Sequence, residues 1–305
     1  MEHHHHHHHH HHADTARSFN RAFAIAVILT MLYTIFEAIY GIAANSMTLL
    51  ADAVHNLGDS LGLMLAWIAN WLLTRPARKR YSYGYKRMSI IAALINAMIL
   101  VGTSALIAYQ AIYKLFNVTP VDEVIVIVVG FIGMFVNAGS SLLFMRGAKE
   151  DTNIKGAFWH LLGDALILAG VVISGVIIYL TDWQWVDPVA GLMIVVIILW
   201  GTWSLLRDSV RLMMDAVPHY IDYAGVKEYL AQLPGVVAVH DLHIWGLSTR
   251  EAALTVHLIM PETRLSDSDY KTINEKLHHD FKISHATIQV ETGSDDDPCV
   301  RRETC

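Results

Sequence analysis

The sequence predicts an α-helical membrane protein: six transmembrane helices followed by a small α+β domain on the cytoplasmic side. Three observations predict it. Apolar runs of about twenty residues, long enough to cross roughly 30 Å of hydrocarbon, recur along the chain up to Leu206. Basic residues crowd alternate connections between those runs and are nearly absent from the others. Beyond Arg211 the pattern changes to short amphipathic stretches of soluble type.

Composition agrees with this division. The chain of 305 residues is 54% hydrophobic and only 16% charged, and most of that charge lies toward the C-terminus. Residues His3 to His12 are an unbroken run of histidines that reads as a purification tag, so residues 1–12 are excluded from all metal reasoning. A cleavable signal peptide is not expected, because the first apolar segment is longer than a signal core and more spans follow. Both cysteines, Cys299 and Cys305, fall near the end and leave none for a structural disulfide in the core. The formal net charge of −6 averages two different environments and says little about partners.

The six spans are placed at Phe23 to Ala43, Met47 to Leu73, Met88 to Tyr113, Val124 to Met145, Gly156 to Leu180 and Val186 to Leu206. Arg17 and Arg21 precede the first, and Arg75, Arg78, Lys79, Arg80, Lys86 and Arg87 separate the second from the third. Arg146, Lys149 and Lys155 separate the fourth from the fifth, and Arg207 and Arg211 follow the sixth. The other turns hold one lysine, Lys114, against Asp122, Glu123, Asp182 and Asp187, with Trp183 and Trp185 as interfacial aromatics. The positive-inside rule then puts both termini in the cytoplasm. The domains expected are a membrane part over 13–211, a cytoplasmic part over 212–292 and a flexible tail over 293–305.

The chemistry sits in a repeated pentad. His-x-Leu-Gly-Asp occurs as His55 to Asp59 in the second span and again as His160 to Asp164 in the fifth. A His and an Asp four apart lie one above the other on a helix face, so each pentad presents an imidazole and a carboxylate in one direction. Two such faces brought together supply two nitrogens and two oxygens, which suits a tetrahedral divalent ion, zinc above all. Ionisable groups at membrane depth cost about 2.5 to 3.5 kcal/mol each on insertion scales and usually mark an ion path. From the span ends, His55 and Asp59 lie roughly 12 to 18 Å below the outer surface, and His160 and Asp164 roughly 6 to 12 Å above the inner one, close enough to meet.

Other polar positions have blander readings. Asp52 shares the face of His55 and Asp59 and reads as a carboxylate orienting His55, as part of a proton path, or as a solvated residue at the outer mouth. Glu37 and Asn137 read as helix-to-helix hydrogen bonders or cavity lining. Gly58, Gly163, Gly170, Ser174 and Gly175 read as close-packing positions. The stretch Arg75 to Arg87, with Tyr81, Tyr83 and Tyr85 interleaved, reads as a lipid-facing topogenic loop and not as a nucleic-acid site. No HExxH, GxSxG, Walker A or kinase pattern occurs, so neither an intramembrane metalloprotease nor an ATP-driven pump is expected, and the chain is not read as an enzyme.

In the tail, Ile221 to Gln232 reads as a helix ended at Pro234-Gly235, and Val236 to Leu247 and Glu251 to Met260 as strands. Ser266 to Phe281 reads as a helix and Ala286 to Val290 as a last strand, giving a small α+β, ferredoxin-like sandwich. His240 and His243 have opposite parity on one strand and face the same way only if a bulge intervenes.

Six spans, His-x-x-x-Asp in the second and fifth, and a tail reading Val-His-Asp-Leu-His-Ile-Trp then His-Ala-Thr-Ile-Gln-Val-Glu resemble the cation diffusion facilitator family, in particular bacterial zinc exporters related to vertebrate vesicular zinc transporters. The resemblance implies a metallochaperone-like cytoplasmic domain and a transport site at His55, Asp59, His160 and Asp164. It implies a homodimer in the bacterial inner membrane that exchanges zinc for protons, with zinc as cargo and no cofactor. It points to His240, His257, Gln289 and Glu291 as ligands of a structural zinc in the tail, with Cys299 a weaker candidate. It also associates His at position 55 with preference for zinc over cadmium. The loop between the second and third spans has no His, Asp or Glu, so the further metal site some relatives carry there is expected to be absent. The competing reading is a membrane-bound zinc sensor without net transport.

Overall fold

The computed structural model describes residues 11–73, 75–145 and 152–293. The tail residues 294–305, Cys299 and Cys305 among them, lie outside that description. The chain divides into two compact units. One takes in the chain up to Leu63 and from Asn96 to Trp203; the other joins Met64–Ile95 to everything from Ser204 onward.

Among the described residues, six long helices make up the membrane part: α1 (His11–Ala43), α2 (Met47–Leu73), α3 (Met88–Phe116), α4 (Glu123–Phe144), α5 (Thr152–Thr181) and α6 (Val186–Met213). By length and composition α3, α4, α5 from Phe158, and α6 are apolar enough to cross a membrane. The described apolar part of α1, Val27–Ala43, is shorter. Its neighbour α2 is made less apolar by Asp52, His55, Asn56 and Asp59, the residues that carry the chemistry. The core of the first unit joins Tyr33, Leu49, Val126, Val129, Leu168, Val171 and Ile194, one or more from each of α1, α2, α4, α5 and α6.

Small residues let particular helices close up. A Cβ on Gly133 would meet Tyr33 at 2.1 Å, and one on Gly58 would meet Leu100 at 2.1 Å. Gly175 is similarly packed against Ile127, at 2.9 Å. Gly163 and Gly170, expected to be packing positions, have nothing within 4 Å where a Cβ would stand, so close helix contact does not explain them.

The start of α2 is held from another helix. Asp187, in the first turn of α6 and fully buried, accepts from Met47 N at 2.6 Å and Thr48 N at 3.3 Å. It also accepts from Ser46 Oγ at 2.6 Å and Thr48 Oγ1 at 2.8 Å. A carboxylate there answers both the orphan amides and the positive end of the helix dipole.

The C-terminal part of the second unit is α7 (Tyr223–Ala231), β1 (Ala238–Gly246), β2 (Ala252–Ile259), α8 (Asp267–His279) and β3 (Ile283–Glu291). The sheet order is β1-β2-β3, with β1 antiparallel to β2 and β2 parallel to β3. A parallel pair needs a crossover, and α8 supplies it. Val226, Leu230, Ile273 and Leu277 from the helices pack against Leu254, Val256 and Leu258 of the middle strand. A capping box starts α8: Ser266 N donates to Asp269 Oδ2 at 2.9 Å and Asp269 N to Ser266 Oγ at 3.4 Å. The bond to the Ser266 hydroxyl, then that to its amide, holds the Asp269 carboxyl below the usual carboxylate range.

The basic loop before α3 corrects one expectation. Its last two cations turn to the C-terminal residues of their own unit and not to lipid: Lys86 Nζ is 2.5 Å from Glu251 Oε2 and Arg87 Nη2 is 2.5 Å from Asp215 Oδ1. Lys86 Nζ also approaches His285 Nε2 at 3.2 Å, and Ser89 Oγ accepts from Thr249 N at 3.2 Å.

Candidate metal centres

The two pentads meet. Helix α2 turns His55 and Asp59 to one side, α5 turns His160 and Asp164 to face them, and the four side chains form a closed ring of nitrogen-to-oxygen approaches. His160 Nε2 is 3.1 Å from Asp59 Oδ2 and 3.7 Å from Asp164 Oδ2. His55 Nε2 is 3.6 Å from Asp164 Oδ1 and 3.8 Å from Asp59 Oδ2. The imidazoles stand edge to face, with centroids 6.2 Å apart. Zinc bonds near 2.0 to 2.1 Å give a tetrahedron with edges of about 3.3 Å. The ring is therefore slightly wider than a closed zinc site, with the donor set such a site uses.

A cavity of about 90 Å³ adjoins the ring, lined by Asn56, Asp59, Ser60, His160, Asp164 and Thr30 among others. Access is uneven: the Asp164 side chain is 5% exposed and that of His160 is 52%. Among the described residues His55 Nδ1 is buried without a hydrogen-bond partner, although an imidazole nitrogen normally finds one.

Asp52 departs from two of its expected roles. It is fully buried, which excludes a solvated mouth residue. It accepts from Asn56 Nδ2 at 2.9 Å, while the free nitrogen of His55 has no partner, so it does not orient that imidazole through a hydrogen bond. Glu37, also fully buried, accepts from Tyr33 Oη at 3.0 Å. Both side-chain polar atoms of Asn137 are buried and unpaired. Asn56 and Tyr33 escaped the sequence reading, though each stands four residues from its acidic partner on the same helix.

A second cluster lies on the sheet face away from the helices. His240 faces His257 across β1 and β2, and His257 faces Gln289 across β2 and β3. His240 Nε2 is 3.0 Å from Glu291 Oε2, and His257 Nδ1 is 2.7 Å from Glu291 Oε1. One ligand atom from each of His240, His257 and Glu291 falls within 4.8 Å of the others, a set that fits zinc with room for a further donor. Gln289 Nε2 donates to Glu291 Oε1 at 2.8 Å and so braces the carboxylate with its amide.

The strand register breaks between His240 and His243, where Asp241 adopts φ of 50°. That bulge is the condition under which the two histidines face the same way. His243 still stays out of the cluster: its Nε2 sits 2.8 Å from Asp241 Oδ1, and the other oxygen of Asp241 lies 3.8 Å from His257 Nε2. Asp241 thus joins the edge of the cluster through a backbone irregularity that alternation could not predict.

Comparison with known proteins agrees with this architecture. Residues 23–214 match the cation efflux transmembrane domain, and residues 218–293 match the cytoplasmic domain of cation efflux proteins. The metal cation efflux system protein CzcD of Cupriavidus metallidurans is 34% identical over 273 residues, covering 89% of this chain and 86% of that protein. A cadmium, cobalt and zinc/H(+)-K(+) antiporter of Bacillus subtilis is 33% identical over 278 residues, 90% of this chain and 89% of its own. The zinc transporter ZitB of Escherichia coli is 31% identical over 280 residues, 91% of this chain and 88% of its own.

Proposed function

The chain belongs to the cation efflux family, and from that premise we propose that it exports zinc from the cytoplasm in exchange for protons. The observation that carries this reading is the ring of His55, Asp59, His160 and Asp164, two helices each giving a nitrogen and an oxygen to one point. Four protein donors strip the ion of water, which suits a carrier that binds, turns and releases. No position is left for a catalytic water, which argues against a hydrolase.

Protons enter through the same atoms. Zinc binds neutral imidazole and ionised carboxylate, so each proton on the ring competes with it. Moving a bare divalent cation outward costs about 4.6 kcal/mol per 100 mV of inside-negative potential, at roughly 2.3 per charge, and one inward proton halves the charge moved. In the proposed cycle zinc loads from the cytoplasm, the helices carrying the ring rock to open it outward, protons displace zinc, and the protonated carrier returns.

Both termini face the cytoplasm in this reading, and the protein is a homodimer in the bacterial inner membrane. His240, His257 and Glu291, steadied by Gln289, hold a structural zinc in the cytoplasmic domain. The test is zinc flux into proteoliposomes of the purified chain with and without an imposed pH gradient. Gradient-driven zinc uptake that disappears in Asp164→Ala is the expected result, and zinc binding without flux in the unaltered protein would favour a sensor instead.

A further inference from the structure

The six cations between α2 and α3 divide into two sets. Lys86 and Arg87 are taken by Glu251 and Asp215 of their own unit. Arg75, Arg78, Lys79 and Arg80 are exposed and, among the described residues, form no ion pair. No Asp or Glu stands between Leu73 and Met88 in the sequence, so these four charges have no local counterion.

The segment that carries them is held at both ends. The Arg75 guanidinium lies over the Trp71 ring, its Cζ 4.4 Å from the centroid. Stacking engages the face of the guanidinium and leaves its in-plane N–H fork for an anion. Arg78 N donates to Tyr81 O at 3.1 Å and Tyr81 N to Arg78 O at 2.8 Å, a tight turn with Lys79 and Arg80 at its tip. Past the turn, the rings of Tyr81 and Tyr85 lie 5.1 Å apart, and Tyr83 meets His285 of β3 edge to face at 5.8 Å.

Apolar surface adjoins the cationic one. Trp67 and Trp71, one turn apart near the end of α2, are 69% and 50% exposed, and Arg75 follows at the same spacing. Trp at the end of a membrane helix sits at the level of the lipid headgroups. We propose that Trp67, Trp71 and Arg75, together with the turn from Arg78 to Arg80, bind a phospholipid of net negative charge. Its phosphate takes the Arg75 fork, and its acyl chain lies along the two indoles. A zwitterionic headgroup carries an ammonium that Arg78, Lys79 and Arg80 repel, so the site selects net charge and not phosphate alone. The proposal goes beyond the transport reading and uses none of the metal ligands.

The test titrates the full-length protein in detergent with phosphatidylglycerol and with phosphatidylcholine of the same chains, and counts bound lipid by native mass spectrometry. Each cation near an anionic surface is worth about fivefold in affinity, so wild type is expected to prefer phosphatidylglycerol by at least about tenfold at low salt. Replacing Arg78, Lys79 and Arg80 together by Gln should bring the two lipids within about twofold of each other. Arg75→Gln and Trp71→Leu should each weaken phosphatidylglycerol binding by about fivefold, with zinc affinity unchanged. Equal binding of both lipids by wild type overturns the proposal, as does a preference that survives the triple replacement. Unchanged lipid binding in both Arg75→Gln and Trp71→Leu overturns the built site and leaves diffuse attraction to a charged surface. Displacement of the lipid by millimolar inorganic phosphate at matched ionic strength overturns a phospholipid as the occupant.

Discussion

His160 Nε2 of α5 lies 3.1 Å from Asp59 Oδ2 of α2, the shortest of the four approaches in the ring and one that joins residues from different pentads. Neither pentad holds the ion alone, since each contributes only two donors. Asp59→Ala is therefore expected to weaken zinc binding by more than the roughly 10- to 100-fold typical of losing an outer-shell partner. Calorimetric titration of the purified protein checks this, and an affinity within threefold of wild type would remove Asp59 from the ligand set.

Acid should empty the ring. Imidazole and carboxylate bind zinc in their deprotonated forms, so affinity falls as pH falls, by about tenfold per pH unit for each proton that zinc displaces. Zinc titrations across a pH series give the slope. A flat dependence on the acid side of neutrality would mean that zinc and protons do not compete.

Asp187 should matter for stability and not for zinc affinity. Its carboxylate receives two amides and two hydroxyls at the start of α2, far along the helix from Asp59. Hydrogen bonds to charged groups are worth about 1.5 to 3 kcal/mol each, and their loss leaves buried donors unpaired. Asp187→Ala is expected to lower the thermal midpoint in detergent clearly while zinc affinity changes by less than about threefold. Unchanged melting would show that the cap contributes little.

The sheet cluster makes a separable prediction. His257→Ala and Glu291→Ala should each lower the zinc bound per chain from about two ions to about one, and gradient-driven transport should persist. Metal analysis of the full-length variants after dialysis measures it. Retention of the second ion in both variants would place that ion elsewhere.

Acid also bears on the domain through α8. The Asp269 carboxyl is held low in the fold by Ser266, so its contribution is present above the ordinary carboxylate range and is lost as pH falls through the lowered folded value. In Asp269→Asn that part of the acid-side loss in the melting profile should be missing. A profile identical to wild type below the carboxylate range would mean that the capping box does not couple to folding.

Much of this was legible because the underlying signals are periodic. Length and hydropathy delimited the helices, and α2 begins and ends at the residues expected, Met47 and Leu73. A four-residue offset put each His above its Asp before any tertiary contact was known. The structure extended β3 to Ile283–Glu291, beyond the stretch expected, because its pairing with β2 continues past the apolar alternation. Pairing partners of a strand are not written in its own sequence.

The sequence by itself determined which residues carry the chemistry and along which helix face they point, since both follow from local covalent geometry and the 3.6-residue turn. Only the tertiary structure decided what those faces meet. It turned Asp52 toward Asn56 in place of His55, set Asp187 under the start of α2, and bent β1 at Asp241 beside the histidine cluster. Those outcomes depend on packing between segments distant in the chain, where buried polar groups must find partners from whatever helix or strand lies opposite.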